Sequence, residues 1–143
     1  MELTIPAAPA QLAGLRRAAR HALGEVPPQI ADELVLALDE AATNAILHGS
    51  RGGDPVQVAV WVRGDWVEAT VVDHGPAQPP HPPPTTDHRS SRGRGLWLLD
   101  CLVDEVRVER AKLGTRVTLR RRIRWPSRPR GGGRLPSTGH AVS

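Results

Sequence analysis

Glu40, Asn44 and His48 recur at i, i+4 and i+8 within PQIADELVLALDEAATNAILHG, residues 28–49. On a helix that spacing lines a carboxylate, a carboxamide and an imidazole along one side. Such a row suits a metal-bound phosphate; the plainer alternative is the solvated face of an amphipathic helix. Two further groupings carry chemistry. Asp73-His74-Gly75-Pro76-Ala77 closes a strand-like run with a carboxylate and a nearby glycine. Arg92-Gly93-Arg94-Gly95-Leu96 enters a helix-like run through glycines, where free backbone amides can hold an anion. Singly, an Asp-x-Gly is usually a turn and a Gly-x-Gly a helix entry. Their order along one chain is the more specific signal.

Regular elements must position these groups. Around Glu40, the apolar residues Ile30, Leu34, Leu38, Ala42 and Ala45 follow a helical stripe. Pro28 suits the first turn of that helix, and Gly49 a left-handed stop just past its end. Upstream, Leu3-Thr4-Ile5 reads as a short strand. Leu12, Leu15, Ala19 and Leu23 give a first helix over 8–23, ended by Gly24. PVQVAVWVRG and DWVEATVVDHG are two strands joined at Gly64-Asp65. Val56, Val58 and Val60 alternate with Gln57, Ala59 and Trp61, the pattern of a sheet covered on one face.

From Gly75 to Ser91, six prolines in seventeen residues exclude a regular helix or central strand. A long irregular loop between two glycine motifs reads as a mobile lid, 75–91. GRGLWLLDCLV, residues 93–103, reads as a helix. DEVRVERA and GTRVTLRRRIRW are two more strands, turned at Lys112-Leu113-Gly114. The order β-α-α-β-β-lid-α-β-β, with antiparallel hairpins, gives an α+β two-layer sandwich with helices on one face.

With 143 residues, 39% of them hydrophobic, the chain can bury one core. It has no Phe or Tyr, so its four Trp are expected to fill the core with Val, Leu and Ala. The single cysteine, Cys101, excludes an internal disulfide and is expected to pack as a small apolar residue. The first residues lack a basic start and apolar run, and no stretch approaches the ~20 apolar residues of a membrane helix; a cytoplasmic location is the expectation. All 15 acidic residues lie before residue 120 with 12 basic ones, a balance of −3, while seven arginines follow. The high pI therefore belongs to the C-terminal end, which argues against a folded nucleic-acid surface. Residues 126–143, rich in Pro, Gly, Ser and Arg, read as a disordered basic tail.

The three ordered motifs, with Gly114-Thr115 after them, resemble the GHKL family of ATP-binding domains. Within it, LALDEAATNAILHG and GRGLWLLDCLVDEV are similar to the bacterial anti-sigma-factor serine/threonine kinases. The resemblance spans roughly residues 3–120. It implies the Bergerat ATP-binding fold over residues 1–125, with ATP/ADP and Mg²⁺ as ligands. It also implies the roles of the residues. Asn44 matches the Mg²⁺-binding asparagine, Glu40 the base, and Asp73 the aspartate that accepts from the adenine amino group. Gly75 lets the backbone approach the base, and Thr115 lies near it. Gly93, Gly95 and Leu96 enter the helix that holds phosphates, with Arg92 or Arg94 (or Arg89) as candidates for the γ-phosphate; His48 is secondary. Ala77 stands where the family pattern has glycine. The implied function is phosphorylation of an anti-anti-sigma protein and sequestration of a sigma factor, with a homodimer as the expected assembly. A docking module with little or no kinase activity is the alternative.

Overall fold

A period of two builds the sheet. Val56, Val58 and Val60 are buried while Gln57, Ala59 and Trp61 between them are not, and the same alternation runs through Val67, Ala69 and Val71. In the computed structural model, which describes residues 1–49, 53–75 and 91–126 (of 91–96 the backbone only), these segments are β2 (Val56–Arg63) and β3 (Trp66–Asp73). They join through Gly64, whose φ of +56° supplies the left-handed turn expected at Gly64-Asp65. With β1 (Glu2–Ile5), β4 (Glu105–Ala111) and β5 (Gly114–Arg122) they form an antiparallel sheet in the order β1-β2-β3-β5-β4. Pairing Val58 with Val71, and Val71 with Val117, keeps the apolar sides of adjacent strands on one face.

Helices cover that face. After a 3-10 turn at Pro9–Gln11, α1 (Leu12–Ala22) buries Leu15 and Ala19. Helix α2 (Pro28–Asn44) buries Ile30, Leu34, Leu38 and Ala42 and packs on β3 and β5. Helix α3 (Ser91–Leu102) lies against α2 and buries Leu99. The fold is the α+β sandwich expected. Arg121 fastens the layers: its guanidinium donates to Glu33 of α2 at 2.8 Å and to Asp104, after α3, at 3.2 Å. Asp104 also accepts from the Arg122 backbone N–H at 2.6 Å. Burial works against the Arg121 charge, but its hydrogen bonds and ion pairs to Glu33 and Asp104 outweigh it and hold its pKa above the ordinary value.

Several local expectations change. None of the four Trp is in the core: Trp97 and Trp125 are exposed, and Trp61 and Trp66 lie half-buried on the outer sheet face. Valine, leucine, isoleucine and alanine fill the interior because strands and helices here meet closely through small side chains. On the outer face Arg120 stacks on Trp66 (4.5 Å to the ring centroid) and bonds Glu105 at 2.9 Å. Arg120, Arg121 and Arg122 are thus β5 residues, so part of the C-terminal charge belongs to the sheet. Cys101 is exposed, since α3 turns Leu99 rather than Cys101 toward α2. The helix expected over 8–23 starts regular α-helix only at Leu12, and β5 begins at Gly114, as the strand GTRVTLRRRIRW does.

Candidate nucleotide site

Asp73 ends β3 and is 7% exposed, the sole buried charged residue among those described. A buried carboxylate needs donors. The Gly75 backbone N–H donates to Asp73 Oδ1 at 3.3 Å, and Thr115, its antiparallel partner on β5, supplies a second backbone hydrogen bond. Burial raises the Asp73 pKa; the Gly75 and Thr115 bonds and the His74 charge oppose it without cancelling it.

Two glycines let the surrounding chain close on this group. Helix α2 ends at Asn44 and continues as a wider π-turn, Ala45–Gly49, that packs on β3. A Cβ at Gly49 would overlap Asp73 Oδ2 and Cγ. A Cβ at Gly114 would overlap the Asp73 carbonyl oxygen and stand 3.2 Å from His74 Cα, and Gly114 has φ +152°, an angle L side chains rarely adopt. Gly49 is therefore not the left-handed stop expected: it is absent from the positive-φ residues, and its lack of a side chain gives Asp73 its place. Spacing showed that a glycine stood there but gave no hint of a contact 24 residues away.

Glu40 and Asn44 are half-buried one turn apart on α2, as their spacing requires. His48 falls in the π-turn, where i→i+5 geometry takes it off the α-helical stripe; it is exposed. Thr43, between Glu40 and Asn44, donates its hydroxyl to the Asp39 carbonyl at 2.7 Å, and Arg16 of α1 pairs with the Asp39 carboxylate at 2.9 Å. These contacts tie the Glu40 turn to α1. The π-turn, Ala45–Gly49, follows Asn44 directly, so a single segment connects Glu40 and Asn44 to the Asp73–Thr115 corner.

Gly93 and Gly95 do not precede α3 but lie within it, together with Arg92, Arg94 and Leu96. Only the first four N–H groups of a helix lack intrahelical partners. The Gly93 amide is among them, and that of Gly95 is not. Ala77 and most of the 75–91 lid fall outside the described residues, as do residues 127–143; Gly75 is described and buried.

The buried Asp73 carboxyl is an acceptor, and the absence of a side chain at Gly49 and Gly114 leaves it its place. The pattern of the histidine kinase-like ATPase domain matches residues 5–121. The chain belongs to that family. This GHKL domain is 31% identical to serine-protein kinase RsbW of Bacillus subtilis over 76% of its own length and 77% of the relative's. It is 34% identical to the Bacillus licheniformis RsbW, over 54% of this chain and 56% of that one. Among solved structures, the RsbU and RsbW domains of Rv1364c from Mycobacterium tuberculosis superpose with a TM-score of 0.65 at 26% identity, covering 88% of this chain and 33% of that one. The histidine kinase domain of the Erythrobacter litoralis EL346 blue-light activated kinase gives 0.57 at 25%, covering 80% of this chain and 60% of that one. The GHKL domain thus spans little more than half of one relative and a third of the mycobacterial structure. Among the described residues, no helix is long and apolar enough to cross a membrane.

Proposed function

We propose that this GHKL domain is an ATP- and Mg²⁺-dependent serine/threonine protein kinase of the anti-sigma type. The observation that carries the reading is Asp73, a buried carboxyl whose place is left open by Gly49 and Gly114. Asp73 accepts from the adenine amino group, with Thr115 beside it and Gly75 allowing close approach. Asn44 would hold Mg²⁺ through its carboxamide oxygen, a hard ligand, and the ion would offset the charge of the triphosphate. The amides opening α3, Gly93 among them, face phosphate, with Arg92 or Arg94 as the companion cation. Glu40 takes the proton of an incoming hydroxyl as that oxygen bonds the γ-phosphorus, and the bridging bond breaks with its electron pair leaving on ADP. His48 is a secondary contact.

By kinship to RsbW, the substrate is an anti-anti-sigma protein. The domain holds a sigma factor when that antagonist is unavailable, and acts in the cytoplasm as a homodimer. Calorimetric titration tests the site: ATP should bind in a Mg²⁺-dependent manner, and Asn44→Ala should remove the Mg²⁺ dependence. No binding by folded wild-type protein would overturn the reading. Ala77, in place of glycine in the second motif, favours a second reading, a docking module with weak phosphotransfer. Under it, Glu40→Ala would leave partner control in cells unchanged.

A further inference from the structure

Asn44 lies between two anchors on one segment. On its N-terminal side the Thr43 hydroxyl donates to the Asp39 carbonyl at 2.7 Å, and Arg16 of α1 holds the Asp39 carboxylate at 2.9 Å. On its C-terminal side the π-turn Ala45–Gly49 ends against Asp73, where a Cβ at Gly49 would strike Oδ2, Cγ and Cβ. Ala45 and Ile46, next to Asn44, are buried, and the Ala45 N–H donates to the Ala41 and Ala42 carbonyls. The turn is thus joined to α2 by hydrogen bonds and by packing. Close-packed segments pass a displacement on rather than absorb it.

The two sides of the Gly49 contact do not yield equally. Asp73 belongs to β3, is paired with Thr115 of β5, and is 7% exposed. Its carbonyl oxygen lies over Gly114, and its Oδ1 accepts from the Gly75 N–H at 3.3 Å. The turn, in contrast, presents Leu47 and His48 to solvent. A methyl group at position 49 therefore moves the turn off β3, and the movement reaches Asn44 before it meets the Arg16–Asp39 anchor. We propose that Gly49 is a positioning residue for the metal end of the nucleotide site: its contact with Asp73 sets where the Asn44 carboxamide stands relative to the base acceptor. This rests on the nucleotide reading, in which Asn44 holds Mg²⁺ and Asp73 accepts from the base. One ATP molecule must reach both groups, so their separation counts along with the chemistry of each.

Calorimetry on the full chain gives the test. The quantity read is the Mg²⁺ factor, the ratio of the ATP dissociation constants without and with Mg²⁺. Wild type should show a factor of about ten or more, and Asn44→Ala about one. Gly49→Ala should also fall to about one. Asp73→Gly should weaken ATP binding under both conditions and keep the factor. In the double variant Gly49→Ala with Asp73→Gly, the new methyl group meets none of the three Asp73 atoms it would strike, and the factor should return. The double variant decides the matter where Gly49→Ala alone does not fold. A merely structural role for Gly49 would change stability and overall affinity and leave the factor unmoved. A factor kept in Gly49→Ala, or lost in Asp73→Gly, overturns the proposal and leaves the nucleotide reading standing. So does a double variant that fails to fold or folds without the factor. A wild-type factor of one overturns the metal role of Asn44, and no ATP binding by folded wild type overturns the nucleotide reading; the proposal falls with either.

Discussion

Gly49 and Asp73 compete for one volume: the hydrogen on the Gly49 α-carbon occupies the space where any larger residue would put a carbon into the Asp73 carboxylate. The wider turn that follows α2 and the end of β3 are thereby locked together. Gly49→Ala must displace either the carboxylate or the turn. We expect it to destabilise the fold by about 1–3 kcal/mol and to weaken ATP binding at least tenfold. Urea denaturation and calorimetry measure the two effects.

Asp73 trades stability for its acceptor. Its folded pKa is raised, by burial first, so its protonated form fits the fold better than its charged form. The stabilisation this gives is full below the unfolded value of 3.8 and is lost as pH rises through the folded value. Asp73→Asn keeps an acceptor for the Gly75 N–H without the charge. Near neutral pH it should stabilise the ligand-free protein by roughly 1 kcal/mol while reducing ATP affinity. A melting curve in which the variant is less stable at pH 7 would contradict this.

Asp104 behaves oppositely. The Arg122 backbone N–H, more than the Arg121 guanidinium, holds its pKa below the ordinary value of 3.8. Its contribution is present above 3.8 and fades as pH falls through the lowered folded value. Asp104→Asn should therefore lower the denaturation midpoint at neutral pH and converge on wild type in strong acid. Denaturation series across acidic pH would show the two curves meeting.

The hairpin of β2 and β3 was legible in the sequence because valine alternation and Gly64-Asp65 are local signals. So was α2, whose stripe Ile30, Leu34, Leu38 and Ala42 is buried throughout, as is Ala45 just after it. Asp73, Glu40 and Asn44 could be singled out by type and spacing. The tasks of Gly49 and Gly114 could not, because each is defined by contact with a residue distant in the chain. The π-turn was equally hidden: Ala45–Gly49 continues the helical pattern without a proline or cap to mark the change. Composition suggested tryptophans inside because it counts side chains without saying which layer holds them.

Arg121 links α2 to the corner between α3 and β4. Replacing it with methionine keeps most of the volume but removes the ion pairs to Glu33 and Asp104. With about a fifth of its side chain in solvent (22%), Arg121 should contribute less than a fully buried pair. We expect a loss of about 1–2 kcal/mol, read from the urea midpoint with an unchanged m-value.

The aliphatic core has an optical consequence. With no Tyr or Phe in the chain and all four indoles at or near the surface, folding changes their solvent environment little. Tryptophan emission will report poorly on unfolding, for which backbone dichroism is the better signal. The same placement makes each indole a local reporter. A partner seated on the outer sheet should shift the emission of Trp61 and Trp66, and one approaching α3 that of Trp97, so single-tryptophan variants would map which face of the molecule is touched.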